Sequence, residues 1–137
     1  RGETYPDRKK GGAWGIWESQ VEKPDYLVPQ EYDCHVDTQW LRLQAPEDGL
    51  KRCLEIAMED KPFHFSAIPY TPHELENALH REELPVPRRT VVSVLGAMRG
   101  VGGIDSWGSD VEEEYHVPSD EDIEFVFVIR GTVSGIV

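Results

Sequence analysis

Three segments of this chain alternate apolar and polar residues with a period of two, and this alternation constrains the fold more than any other feature. The segments are HVDTQWLRL at 35–43, CLEIAME at 53–59 and FHFSAIP at 63–69. Successive side chains of a β-strand point to opposite faces, so a two-residue period is typical of a strand with one buried face. The alternation therefore predicts half-buried strands in all three places.

Further strands are expected on either side of this group. TVVSVLGAM at 90–98 continues the series, and IEFVFVI at 123–129 is apolar on both faces, as in a central strand of a sandwich core. WGIWES at 14–19 and VEEEYHV at 111–117 are shorter strand candidates. PEDG at 46–49 has the residue types of a tight turn.

One helix is predicted between the strands, over TPHELENALH at 71–80. Thr71 is placed to cap it, and Glu74 completes a capping box three residues later. Leu75 and Leu79 lie one turn apart and are expected to form its buried stripe. Such a short helix needs packing against a sheet to be stable. Together the elements favour an all-β protein, an antiparallel sandwich of about seven or more strands with one short helix.

Length and charge limit the kinds of partner. The chain has 137 residues and a net charge of −12, which suits a single domain over 1–137. Phosphate neutralisation needs clustered Lys and Arg, so neither nucleic acid nor an anionic membrane is an expected partner. No apolar run approaches the ~18 residues of a membrane span. Cys34 and Cys53 are expected to be free thiols. The start at Arg1 suggests a fragment of a longer protein.

The sequence lacks the residue spacings that are typical of catalytic and metal-binding sites. Cys34, His35 and Asp37 are close in sequence, but no Cys-x-x-Cys or His-x-x-x-His spacing accompanies them, so no metal site is expected. No G-x-S-x-G elbow marks a nucleophilic serine. The acidic runs at 110–114 and 120–124 lie in polar stretches. We interpret them as surface charge rather than as the paired carboxyls of a glycosidase.

Two of the four tryptophans, Trp40 and Trp107, lie in different sequence surroundings. Trp40 lies on an alternating strand and is expected to pack in the core. Trp107 lies in GAMRGVGGIDSWGSD at 96–110, where its neighbours favour a loop. An exposed indole is a good platform for the C–H face of a sugar. Burying ~100 Å² of it would contribute about 2–3 kcal/mol. Trp107 is therefore the candidate ligand-binding residue.

Four motifs occur in an order that resembles a known family. They are YPDRK at 5–9, PQE at 29–31 before a strand that carries W-L, FHFSAIPYT at 63–71, and GVGGIDSW at 100–107. From about residue 3 to residue 130 the chain resembles the C-terminal, or small-chain, domain of the bacterial β-galactosidases of glycoside hydrolase family two. The resemblance implies an antiparallel β-supersandwich related to galactose mutarotase domains.

The same resemblance implies a role in hydrolysing terminal β-D-galactosides such as lactose, with retention of configuration. The catalytic glutamates of these enzymes lie in a TIM barrel elsewhere, so none is expected in this fragment, which should be inactive alone. The Mg and Na that such parent enzymes commonly use also belong to that missing catalytic domain, and no cofactor is expected here. The implied partners are the remaining domains or a large subunit, in an oligomeric, cytoplasmic bacterial enzyme.

By the matching G-x-G-G-x-D-S-W motif, Trp107 corresponds to the residue that stacks on the aglycone of the substrate, the glucose half of lactose. Asp105 and Ser106 share that motif and are expected to line the same substrate-binding subsite. The chain departs from the family pattern at Tyr32 and Asp33, where relatives commonly have Asn-Gly.

Two other roles stay open. One is a carbohydrate-binding module without chemistry, which titration with galactose and lactose would reveal. The other is a module that joins domains or subunits, for which an exposed apolar patch is expected on its surface.

Overall fold

The computed structural model describes residues 2–8, 14–45 and 50–135. Within these ranges, six strands and one α-helix follow one another: β1 Cys34–Thr38, β2 Trp40–Gln44, β3 Leu50–Met58, β4 Phe63–Ile68, α1 Pro72–Glu76, β5 Val91–Leu95 and β6 Phe127–Gly135. Two short 3-10 helices lie at Arg81–Glu83 and Glu113–Tyr115. The turn predicted at 46–49 lies outside the described residues.

The strands form two antiparallel three-stranded sheets. One has the order β1-β4-β5 and the other β2-β3-β6. With a single α-helix of five residues in the described ranges, this confirms the all-β class. None of the described helices is long and apolar enough to cross a membrane.

The segment 35–43, predicted as one strand, is two strands that belong to different sheets. The pairing of β1 with β4 is irregular between His35 and Thr38, and Asp37 has a φ of 54° inside that irregularity. A bulge of this kind bends the strand and increases its local twist. Beyond Gln39, whose carbonyl accepts a 2.8 Å hydrogen bond from the Met58 amide, the chain continues as β2.

A cluster of buried core residues surrounds α1. It consists of buried residues from the helix and the segments beside it: Tyr32, Ile68, Tyr70, Leu75, Ala78 and Leu84. The capping box is confirmed, since Thr71 Oγ1 accepts from the Glu74 amide at 3.2 Å and a Glu74 carboxylate oxygen accepts from the Thr71 amide at 2.8 Å. Leu75 is buried as predicted. The prediction for Leu79 is wrong, because the helix ends at Glu76 and leaves that side chain 71% exposed.

Four other predictions are wrong. Residues 14–19 form no strand, and 111–117 contain a 3-10 helix. The predicted central strand at 123–129 begins only at Phe127 and lies at the end of its sheet's strand order. Trp40 is not a core residue: its indole is 41% exposed, and the Arg42 guanidinium lies 5.5 Å from its ring centroid. Alternation identifies the face of a strand but does not show whether another element covers that face.

The sheet β2-β3-β6 has one polar and one apolar face. On the polar face, Glu55 pairs with Arg42 at 2.7 Å and with Arg130 at 3.3 Å. On the other face, the register aligns Leu41, Ile56 and Ile129 across the three strands. Ile56 is buried, but Ile129 is exposed, as are Leu54 and Val133 on the same face. The sheet therefore presents apolar surface to its surroundings.

Candidate functional site

The segment from Gly100 to Asp110 forms a loop whose turns depend on glycine. Gly102, Gly103 and Gly108 have φ values of 71°, 72° and 83°, in the left-handed region where residues with a Cβ are strained. Two of these turns precede Trp107 and the third follows it. The glycines therefore set the course of the backbone on both sides of the indole.

Asp7 and Arg8 hold the start of this loop from the far end of the chain. The Asp7 carboxylate accepts hydrogen bonds from the amides of Val101 at 3.0 Å and Gly102 at 2.8 Å. The Arg8 guanidinium donates to the Gly102 carbonyl. The Asp7 side chain is only 5% exposed, so these amides are held by an acceptor that is largely shielded from water.

The protonation state of Asp7 depends on these bonds. Burial raises the pKa of its carboxyl, but the hydrogen bonds from the Gly102 and Val101 amides and the nearby Arg8 charge together lower the pKa below its usual value. A carboxylate that accepts several N–H bonds is stabilised in its charged form. Asp7 is therefore ionised at neutral pH, as its two-amide contact requires.

Gly100 is the point where the loop passes closest to its support. A Cβ at this position would lie 2.7 Å from Val111 Cγ1 and 2.8 Å from the Asp7 carboxyl carbon. The Gly100 amide also donates to the Tyr115 carbonyl at 2.9 Å. The absence of a side chain at Gly100 is what allows Asp7 and Val111, which is buried, to meet the same stretch of backbone.

The tip of the loop is organised around the carboxylate of Asp105. Its Oδ1 accepts from the Trp107 amide at 2.8 Å and the Ser109 amide at 3.3 Å, and its Oδ2 accepts from the Ser109 hydroxyl at 2.5 Å. The Ser109 hydroxyl, followed by these amides, lowers the pKa of Asp105. A side chain that bonds to the backbone two residues onward is a common way to fix a tight turn. Asp105 thus fixes the backbone from which the indole projects.

Trp107 is 91% exposed, the largest exposed fraction among the described large apolar side chains. Ser106 is exposed beside it. The structure therefore brings Asp105, Ser106 and Trp107 together on one turn, with the carboxylate directed toward the loop's own amides.

The far side of the loop is held by charged groups. Asp110 pairs with Arg99 and lies 3.5 Å from His116 Nε2, which also contacts the Val111 carbonyl at 2.9 Å. A hydrogen bond from the Val111 amide, followed by the charges of Arg99 and His116, lowers the pKa of Asp110. The acidic residues at 110, 112–114, 120–122 and 124 are all exposed, which confirms that they are surface charge.

Other candidate chemistry is limited. Within the described ranges, no group of three or more His, Cys, Asp and Glu residues is arranged to hold a metal ion. Cys34 and Cys53 are free thiols, as predicted, and burial raises the pKa of Cys34 to about 11. A thiol that stays protonated at neutral pH is a poor nucleophile.

Sequence reasoning missed Asp7 and Arg8 as parts of the site. The motif YPDRK is a landmark of the family that the chain resembles, but nothing in its spacing points to a loop more than ninety positions away. The glycine pattern identified the loop itself. What supports the loop becomes visible only in three dimensions.

The fold and the loop define a class of protein: an all-β chain that presents an aromatic side chain on a turn fixed by carboxylates. Residues 1–129 match the family described as beta galactosidase small chain. The chain therefore belongs to the β-galactosidase small-chain family.

Curated relatives agree with this assignment. The chain is 49% identical over 136 residues to a β-galactosidase small subunit of Latilactobacillus sakei, covering 93% of this chain and 43% of the relative. It is 40% identical over 121 residues to β-galactosidase BgaC of Bifidobacterium adolescentis, covering 87% and 11%. It is 37% identical over 130 residues to a β-galactosidase of Halalkalibacterium halodurans, covering 93% and 12%. The chain thus spans less than half the length of each of these relatives.

Proposed function

We propose that this chain is a component of a retaining β-galactosidase that hydrolyses terminal β-D-galactosides such as lactose. Its own contribution is the loop at 100–110, which supplies Trp107 as one wall of the aglycone subsite. The observation that carries this proposal is a 91% exposed indole on a turn that is fixed from both sides. The relatives named above are β-galactosidases or a small subunit of one.

The energetics favour a ligand at this position. An exposed indole leaves a large apolar surface in water, and stacking a sugar ring on ~100 Å² of it would contribute about 2–3 kcal/mol. Because Asp105 and Asp7 already fix the backbone on either side, little ordering of the loop is needed on binding. A prearranged aromatic platform suits a neutral, partly apolar ligand such as the glucose half of lactose.

We assign the two catalytic carboxyl groups to another part of the enzyme. A retaining glycosidase uses two carboxyl groups about 5–5.5 Å apart, one as nucleophile and one as acid and base. The Asp105 carboxylate is occupied by its own loop, and Asp7 by the amides of Val101 and Gly102. These two acids are therefore assigned to support, and the catalytic pair to the remaining domains or a large subunit.

A second role is favoured by the apolar face of the sheet β2-β3-β6. Leu54, Ile129 and Val133 are exposed on that face, and adjacent exposed apolar residues are typical of an interface. We propose that this face packs against the rest of the β-galactosidase.

The test uses the complete β-galactosidase that contains this chain. Replacing Trp107→Ala should raise KM for lactose by about tenfold or more. Stability should change little, since the side chain has few contacts to lose. Leu79→Ala, which removes another highly exposed side chain, is the matched control and should leave KM unchanged. An unaltered KM in the Trp107 variant would refute the role assigned to the indole.

A further inference from the structure

A second set of aromatic residues surrounds a cavity that the proposed function does not use. The segment 14–19 lies beside β1 and β2, and together they line an open cavity of about 250 Å³. This volume lies just below the usual range of ~300–1,000 Å³ for ligand pockets, which suits a single ring rather than an extended molecule. The residues that line it include Trp14, Trp17, Asp33, His35, Trp40 and Arg42.

The apolar part of this cavity is provided by three tryptophans. Trp14 is 75% exposed, Trp17 51% and Trp40 41%, so each indole keeps surface available for contact. The Trp17 ring is supported by the backbone of Gly15, where an added Cβ would lie 3.6 Å from the indole. Three indoles around one small space form a platform for a flat or C–H-rich face.

The polar part is a pair formed by Asp33 and His35. Asp33 Oδ1 lies 3.0 Å from His35 Nε2, and the imidazole packs on the Phe65 ring with centroids 4.9 Å apart. The His35 side chain is 14% exposed and that of Asp33 33% exposed, so both are held in place while they still reach the cavity. The pair offers a carboxylate acceptor in a fixed orientation.

The backbone at Asp33 supports this interpretation. Asp33 has a φ of 55°, in the region that favours glycine, although aspartate tolerates it better than most residues. Its amide donates to a Glu3 carboxylate oxygen at 2.9 Å, which holds the residue in that conformation. Because this position is occupied by aspartate, a carboxylate lies beside His35 at the cavity, which a glycine in the same conformation would not supply.

We propose that this cavity is a saccharide-binding site distinct from the Trp107 loop, and that it takes one hexopyranose unit. The ring's C–H face stacks on the indoles, and its hydroxyls donate to the Asp33 carboxylate and exchange hydrogen bonds with His35. An anionic ligand is disfavoured by Asp33 and by the net charge of −12. A purely apolar ligand is disfavoured because it would shield the Asp33–His35 pair from water without offering its remaining polar sites a hydrogen bond.

The experiment is hydrogen–deuterium exchange by mass spectrometry on the complete β-galactosidase, with D-galactose, D-glucose and, as an open-chain control, sorbitol. With a hexopyranose at about ten times its dissociation constant, the amides of 14–19 and 33–39 should exchange up to about tenfold more slowly. Sorbitol should give no such protection, because it lacks the ring that stacks.

Variants assign the protection to the cavity. Trp14→Ala and Asp33→Asn should each weaken the hexopyranose affinity of this site by about tenfold. Asparagine is chosen because it tolerates a positive φ and keeps the size of the side chain. Trp107→Ala is the matched tryptophan control and should leave protection of 14–19 and 33–39 unchanged. Protection at 100–110 reports separately on the proposed aglycone subsite, so the two proposals can fail independently.

Three outcomes would overturn the proposal of a saccharide-binding site in this cavity. They are equal protection by sorbitol, no protection by either sugar at saturating concentration, and segment 14–19 already protected without sugar. The last result would mean that another part of the enzyme covers the cavity.

Discussion

The Asp7 carboxylate lies 2.8 Å from the Gly102 amide, although 95 positions separate the two residues in sequence. Through this contact the beginning of the described chain holds the loop that carries the exposed indole. Asp7 bonds to the start of the loop, at Val101 and Gly102, and not to the turn that carries the indole. It is a positioning residue, and its effect on any ligand must pass through the loop.

The first prediction concerns this positioning role. Asp7→Ala leaves the amides of Val101 and Gly102 without their acceptor, which should cost about 1–3 kcal/mol of stability and raise KM for lactose about tenfold. If Asp7 acts through the indole, then Asp7→Ala should change KM little in a Trp107→Ala background. The measurement is a double-mutant cycle on KM in the complete enzyme. Fully additive effects would contradict the coupling, and Glu82→Ala, which alters an exposed acid, serves as the neutral control.

The second prediction concerns pH. The amides of Gly102 and Val101 and the Arg8 charge lower the folded-state pKa of Asp7 against the opposing effect of burial. Its contribution to stability is therefore present above the unfolded-state pKa and lost as pH falls through the lower folded-state value. Denaturant unfolding should show the wild type to be more stable than Asp7→Asn near pH 6, with the difference shrinking below about pH 4. A difference that stays constant down to about pH 2 would mean that the Asp7 charge does not contribute.

The third prediction concerns the close approach at Gly100. An alanine there would place its Cβ 2.7 Å from Val111 and 2.8 Å from the Asp7 carboxyl, so one of these groups must move. Gly100→Ala should lower the free energy of unfolding by about 1–3 kcal/mol. Gly2→Ala is the control, because an added Cβ meets no atom within 4 Å there, and it should leave the free energy of unfolding unchanged. Equal effects at the two positions would show that the contact does not matter.

Much of the sheet structure could be predicted from the sequence, because the period of two reflects how strand side chains alternate. The alternation at 53–59 and 63–69 corresponds to β3 and β4. The same pattern runs unbroken through Gln39, so it could not reveal that β1 and β2 belong to different sheets. That break depends on a bulge and on the backbone of Asp37, which binary patterning does not encode.

The loop and its indole could also be predicted, because a run of glycines beside one tryptophan is unusual in a packed core. Its supports could not, since the bonds of Asp7 and Arg8 join distant parts of the chain. The exposure of Trp40 and Leu79 was missed for a related reason. Local pattern shows which face of an element is apolar, whereas burial depends on whether another element covers that face.

The most direct test of the Trp107 assignment compares inhibition of lactose hydrolysis by the two halves of lactose. If the indole forms the wall of the aglycone subsite, Trp107→Ala should raise the inhibition constant of glucose by about tenfold. The inhibition constant of galactose, which occupies the other subsite, should stay within about twofold. A variant in which both constants are unchanged, or in which only the galactose constant rises, would contradict the assignment.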